Sequence, residues 1–224
     1  MDFKIIDLNI SPKNGKISSE NLEYLRKLLK NAGVVGYSMP QLQTKTDSES
    51  QLTLLKTLNS GDEVKFFPTV SGLNRDGSLS EIASLSSEIF AIYFESNINF
   101  EQMKSIFQYA QMLKKPLICK VFSGDEPVYE TESSYRFGHV GRSQIREPFE
   151  VSKVIEMSRE FGVKTLFQGV TVQRALELID NAKNEKVPLF LEISVNHLLF
   201  DDSIYSQFDN STKIDPPFPR VQKI

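Results

Sequence analysis

The chain has 224 residues, 40% of them hydrophobic and 25% charged, with a formal net charge of −3, which describes one folded domain, 1–224, with a core of ordinary size. No block of Lys and Arg is present, which argues against nucleic acid as the main partner, because phosphate binding needs clustered cations. The longest apolar runs are strand-sized and exclude a bilayer-spanning segment. The first residues, MDFKIIDLNI, lack a signal-peptide layout, and the single cysteine, Cys119, permits no internal disulfide, so the expectation is a cytoplasmic protein.

In chain order, residues 3–8 form a short apolar run that reads as a buried strand. Ser18 or Ser19 is placed to cap a helix running to about Asn31, with Leu22, Leu25, Leu28, Leu29 and Ala32 at helical spacing and Gly33 as its stop. Residues 34–39 give a second strand ended by Pro40, and Asp47 or Ser48 caps a helix through Leu52, Leu55 and Leu58. Residues 64–70 read as the third strand, with Pro68 inside it as a reason to expect a shorter one. A turn at 74–77 and a short helix near 80–85 lead to a fourth strand over 89–94.

Asn99 opens a strongly amphipathic helix on Met103, Ile106, Phe107, Ala110 and Leu113, and residues 116–122 give the fifth strand. The polar span 123–146 is the longest irregular stretch and reads as a functional or mobile loop. A helix over 147–161, a strand over 163–167, a helix over 171–183 and a strand over 188–193 follow. Seven strands, nearly all followed by helices, predict an α/β fold, an incomplete TIM-type (β/α) barrel of about seven β/α units. An open doubly wound sheet is the alternative, although no G-x-G-x-x-G or P-loop pattern supports nucleotide binding.

Four segments carry a family resemblance. The stretch 192–220, EISVNHLLFDDSIYSQFDNSTKIDPPFPR, resembles the E-V-T-P-H-H-L and K-V-N-P-P-L-R motifs of dihydroorotases. Residues 38–41, SMPQ, resemble that family's M-P-N turn, and 141–150, GRSQIREPFE, its G-L-x-G-I-P-P-x-A-E segment. The helix containing Arg174–Ile179 is similar to the one after the family's sixth strand. The shared order of these segments across about 200 residues identifies the chain as similar to the dihydroorotase barrel. That family belongs to the metal-dependent cyclic amidohydrolases, which open or close the ring amide of dihydroorotate.

The resemblance implies zinc, held by side chains at strand ends, and here the implied ligands are replaced. The family's I-D-x-H-x-H reads Ile-Asp-Leu-Asn9-Ile-Ser11. No lysine lies between Lys65 and Lys104 to bridge two metals on the fourth strand. The histidine of the fifth strand aligns with Lys120, and that of the sixth with Gly169 beside Gln168. The catalytic aspartate belongs to an eighth strand that the chain ends before. Only two histidines, His139 and His197, are present at all. Without metals an unactivated amide has no evident nucleophile, so the expectation is a pseudoenzyme with no cofactor, no catalytic residue and no metal ligand.

A vestigial pocket is expected from Asn9, Ser11, Lys120, Gln168, Glu192, Asn196, His197 and Arg220. Each of these also has a plainer structural reading. His197 fixes the turn through a hydrogen bond, His139 packs in its loop, and Lys120 makes an ion pair or binds an anion. Glu192 lines the pocket or pairs with Lys120 or Arg220. Cys119 is a core residue, and Asp201, Asp202 and Asp209 cap and turn. Asp215 takes the place of the family's Asn, and Arg220 ties down the loop.

Three functions follow from this reading. The first is a non-catalytic dihydroorotase-like protein in pyrimidine biosynthesis, with aspartate transcarbamoylase or a second copy as partner, because a barrel short of a unit leaves strand edges uncovered. The second is an active amidohydrolase with an atypical site. The third is a small-anion binder using Lys120 and Arg220.

Overall fold

The β/α alternation is realised in a computed structural model, which describes residues 4–12, 17–40, 46–60, 64–122, 124–207 and 212–220. Phe3, Gln41, Ser123 and residues 208–211 with Asp209, for which expectations were set above, lie outside these ranges. Among the described residues eight short strands form two sheets, one with strand order β1-β2-β3 and one with order β4-β5-β6-β7-β8. The chain divides into two compact units, Met1–Phe94 with Phe100–Ile118, and Glu95–Asn99 with Cys119–Ile224.

The first unit holds β1 (Ile5–Asp7), α1 (Ser19–Asn31), β2 (Val34–Tyr37), α2 (Glu49–Leu58), β3 (Lys65–Phe66), β4 (Thr69–Ser71), α3 (Ile82–Leu85), most of β5 (Ala91–Glu95) and α4 (Phe100–Leu113). Helix α1 starts where the Ser18 Oγ accepts the Asn21 N–H at 3.2 Å, and Gly33 turns the chain at φ +75. Its buried Leu22 and Leu29 meet Val34, Tyr37, Met39, Leu55 and Val64 in one apolar cluster. In α4 the buried residues are Met103, Ile106, Phe107 and Ala110, the predicted stripe.

Two expectations for this unit are corrected. The third predicted strand is two strands. The Phe67 N–H still donates to the Tyr37 carbonyl at 2.8 Å, whereas the Pro68 carbonyl accepts the Phe90 N–H at 2.7 Å. Proline has no N–H to continue the first ladder, so the chain changes sheets there. The first strand is not buried: Ile5 is 49% and Ile6 53% exposed, because β1 is an edge strand with β2 as its neighbour.

The second unit takes the end of β6 (Leu117–Lys120), then α5 (Glu132–Arg136), α6 (Arg146–Phe161), β7 (Thr165–Gln168), α7 (Gln173–Asn184), β8 (Leu189–Leu191), α8 (Val195–Leu199) and a 3-10 helix, Asp202–Gln207. The described pairings β1–β2, β2–β3, β4–β5 and β7–β8 are all parallel. Parallel strands joined through helices make this an incomplete TIM-type (β/α) barrel, with no closed barrel among the described residues.

Helix α5 interrupts the stretch expected to be irregular. Its start is set by a reciprocal cap, in which the Ser134 N–H donates to Thr131 Oγ1 and the Thr131 N–H to Ser134 Oγ. A small second core of Val128, Tyr205 and Phe218, with Phe137, Ile204 and Ile214 against it, takes Ile214 and Phe218 from the segment 212–220. The last predicted strand is shorter than its apolar run, and Phe190, Leu191 and Ile193 stand 52%, 38% and 53% exposed.

Candidate functional site

The second unit carries a cleft of about 390 Å³ whose lining includes Lys120, Arg142, Asp215, Lys213 and Glu95. Lys120 is the last residue of β6, following Leu117, Ile118 and Cys119, all buried in the strand. Its Nζ lies 2.5 Å from Asp215 Oδ2. The other oxygen of the same carboxylate, Oδ1, is 3.1 Å from Arg142 Nη1. One carboxylate therefore joins an ammonium and a guanidinium, with one oxygen for each. Burial alone would raise the Asp215 pKa, but the Lys120 and Arg142 cations outweigh it and hold the carboxyl below the usual aspartate range.

Arg142 is only 4% exposed, and its position is set by backbone. Its N–H donates to the Val128 carbonyl at 2.8 Å, and its own carbonyl accepts the Glu130 N–H at 2.9 Å. This close approach needs Gly141, because a Cβ there would lie 2.6 Å from the Glu130 nitrogen and 2.7 Å from the Tyr129 carbonyl carbon. The guanidinium is further fixed by Nε donating to the Glu126 carbonyl at 2.5 Å.

The remaining predicted residues fall into separate places. Gln168 Nε2 donates to Glu192 Oε2 at 2.8 Å, so Glu192 is joined to the neighbouring strand end, while Lys120 pairs with Asp215. His197 Nε2 lies 3.0 Å from the Pro216 carbonyl and 3.3 Å from that of Pro217, and its ring packs on Phe218, so its contacts run to the segment 212–220. Asn196 is exposed at the start of α8, where its N–H donates to Ser194 Oγ. Arg220 stands 3.8 Å from Glu132, both well exposed, and is not among the cleft's lining residues. Asn9 and Ser11 belong to the first unit, both exposed, with the Asn9 N–H donating to Asp7 Oδ1 at 3.0 Å. His139 packs edge-on toward the Tyr205 ring. Burial pushes the Cys119 thiol well above its ordinary range, as fits a core residue.

Sequence reasoning missed Glu147. This fully buried carboxylate accepts the Thr171 N–H at 2.8 Å and the Val172 N–H at 2.6 Å on Oε1. Its Oε2 accepts the Tyr129 hydroxyl at 2.7 Å, with Thr171 Oγ1 at 3.1 Å. Burial raises its pKa, and these hydrogen bonds offset the rise in part. A glutamate flanked by Ile145, Arg146 and Pro148 carries no sequence signal of such a role. Arg142 and Asp215 were also missed as a pair, since they lie 73 positions apart.

A divalent metal does not fit this donor set. Lys120 and Arg142 are cations with hydrogens to donate and no lone pair to give. The carboxylate between them is already shared by both. Among the described residues no three His, Cys, Asp or Glu side chains converge as a metal-binding group. In the first unit, Asn9 and Ser11 offer an amide and a hydroxyl, poor partners for zinc.

No family model matches the chain. It is similar to the dihydroorotase of Pelotomaculum thermopropionicum, 24% identical over 189 residues that cover 80% of this chain and 44% of that protein. A probable dihydroorotase-like protein of Helicobacter pylori is 24% identical over 146 residues, 64% of this chain and 37% of that one. The chain thus spans less than half the length of these curated relatives. Among solved structures, the L-hydantoinase (dihydropyrimidinase) of Arthrobacter aurescens matches with a TM-score of 0.75 at 12% identity, covering 97% of this chain and 52% of that one. The inactive dihydroorotase-like domain of the Chaetomium thermophilum CAD-like multifunctional protein matches with a TM-score of 0.63 at 12% identity, over 88% of this chain and 53% of that one.

The strands, the connecting helices and these neighbours define the fold, an incomplete TIM-type (β/α) barrel. Over 80% of its length the chain is similar to a dihydroorotase. No helix of the described residues is long and apolar enough to cross a membrane.

Proposed function

We propose that this chain is a non-catalytic dihydroorotase-like protein, a pseudoenzyme that serves pyrimidine biosynthesis as a structural or regulatory partner. One observation carries the reading. At the strand end where the family's histidine is expected, the Lys120 ammonium is bound to Asp215, and the same carboxylate meets the buried Arg142. Lys120 and Arg142 have no lone pair to give and take up both oxygens of the carboxylate, so these three residues leave no ligand for the divalent ion that amide hydrolysis by this family needs to generate hydroxide near neutral pH. The inactive dihydroorotase-like domain among the structural neighbours supports the reading by precedent, since it is part of a multifunctional protein.

The partner we propose is aspartate transcarbamoylase or a second copy of this chain. What supports a partner is the apolar surface of β8 and α8, where Phe190, Ile193, Val195, Leu198 and Leu199 are each more than half exposed.

The experiment is metal analysis of protein purified without chelator, together with a dihydroorotate turnover assay with and without EDTA. The expected result is substoichiometric zinc and no turnover. Stoichiometric zinc with turnover that EDTA abolishes would overturn the proposal.

A further inference from the structure

The carboxylate in the Lys120–Arg142 cleft is the protein's own. We propose that this cleft is a binding site for a small monocarboxylate, and that Asp215 occupies it as a tethered stand-in. The inference rests on the reading above, in which fixed cations stand where metals would be held.

The cationic half of the site is built into the scaffold. Arg142 is held by backbone hydrogen bonds to Val128 and Glu130 and by its Nε on the Glu126 carbonyl, and it is nearly inaccessible to water. Lys120 ends a buried strand. A guanidinium this deeply buried is costly unless an anion meets it. The anionic half is different. The Asp215 side chain is 50% exposed and is carried by residues 212–220, outside any strand or α-helix. Rotation of this half-exposed side chain toward solvent would vacate the two cations while Phe218 holds the segment in place.

The site already shows which chemistry it takes. Each oxygen of a planar carboxylate meets one cation, at 2.5 Å and 3.1 Å, and any R–COO⁻ reproduces that arrangement. The cleft's volume of about 390 Å³ leaves room for a small body beside the carboxylate. Val121, Phe122 and Ile214 give it apolar walls. Of the other charges lining it, Lys213 stands against Glu95 and Asp125, so the rest of the cleft carries a net negative charge. That selects a monoanion with a neutral, partly apolar body over a polyanion.

Asp215 competes with such a ligand at the effective concentration of a short tether, on the order of millimolar. Isothermal titration with butyrate, and in parallel with inorganic phosphate, at constant ionic strength tests the proposal. Asp215→Asn is expected to bind butyrate up to about fivefold more tightly than the wild type, because the competitor is gone. Adding Lys120→Met to that variant is expected to remove the gain. Asp215→Ala gives the same result and serves if the Asn variant does not fold, as judged by circular dichroism. No gain in either variant, a gain that survives Lys120→Met, or an equal gain for phosphate would overturn the carboxylate site. Zinc-dependent turnover, by contrast, would overturn the non-catalytic reading and leave a measured gain in butyrate affinity standing.

Discussion

The Glu147 carboxylate caps the helix that begins after Val172. Its Oε1 accepts the Val172 N–H at 2.6 Å, and Val172, at the N-cap of α7, has no side-chain oxygen to serve its own helix. A residue at the start of α6 thus does for α7 what a local Ser or Asp usually does, while its second oxygen holds the Tyr129 hydroxyl at 2.7 Å. Removing it leaves two buried or half-buried N–H groups and a buried hydroxyl without this acceptor. Glu147→Ala should cost on the order of 3 kcal/mol in urea unfolding, and Glu147→Gln, which keeps one oxygen, about half of that.

The same residue makes a pH prediction. Burial raises its folded pKa above the unfolded value. The sign follows from linkage: the protonated form is favoured in the fold, so its contribution is fully present below the unfolded pKa and is lost as pH rises through the folded one. Stability of the wild type should therefore fall over that window more than stability of Glu147→Gln, which has no proton to lose. Unfolding midpoints across pH 4 to 8 (roughly the span in which a raised carboxyl titrates) check this.

Asp215 behaves in the opposite sense. Burial works to raise its pKa, but Lys120 and Arg142 prevail and lower it. Its contribution is present above the unfolded pKa and is lost as pH falls through the folded one. Acidification should therefore release residues 212–220 first, seen as amide exchange at Lys213 and Ile214 that rises at low pH in the wild type and is already high at neutral pH in Asp215→Asn. With the carboxylate half exposed, solvent screening keeps the overall stability change to about 1 kcal/mol or less.

Cys119 is fully buried in β6 and its thiol is held well above the ordinary range by that burial, with Glu150 adding to the effect. A thiolate is the reactive form, so both access and ionisation protect it. A disulfide reagent such as DTNB should label no thiol in the native protein at pH 8 and one per chain in denaturant. Fast native labelling would show that the strand opens locally.

How much of this was legible in the sequence depends on whether the signal was local. Helix α1 was readable because Ser18 and the Leu22 and Leu29 spacing lie within one segment. Helix α5 was not, because its cap uses Ser134 in place of the usual Glu or Gln and it buries only that serine, leaving no apolar stripe to detect. The split of the third strand was foreshadowed by Pro68, but the change of sheet is a long-range fact of hydrogen bonding. At the site, Lys120 stood out as the wrong chemistry for a metal ligand. Its partner was invisible because Asp215 is 95 positions away, and Arg220, the arginine the resemblance favoured, stands beside Glu132 instead. An apolar pattern also failed at β1 and over most of β8, where Ile5, Ile6, Phe190 and Leu191 are exposed although a hydrophobic run predicts burial, while Leu189 is buried as expected.

The exposed face at β8 and α8 gives the prediction that bears most directly on partnership. Val195 and Leu199 lie four apart on α8, one turn and so one face, and are 67% and 68% exposed. Residues this exposed contribute little to the fold, so Val195→Glu with Leu199→Glu should shift stability by no more than about 0.5 kcal/mol. If a partner covers this face, the same two charges would be buried without counter-ions, at a cost of several kcal/mol and a loss of association of more than about a hundredfold. Sedimentation velocity of the wild type and the double variant, each alone and mixed with aspartate transcarbamoylase, separates the cases. Association by the wild type that the variant lacks identifies this face as the contact. Equal association by both proteins would place the contact elsewhere, and a wild type that stays monomeric in both experiments would remove the basis for a partner.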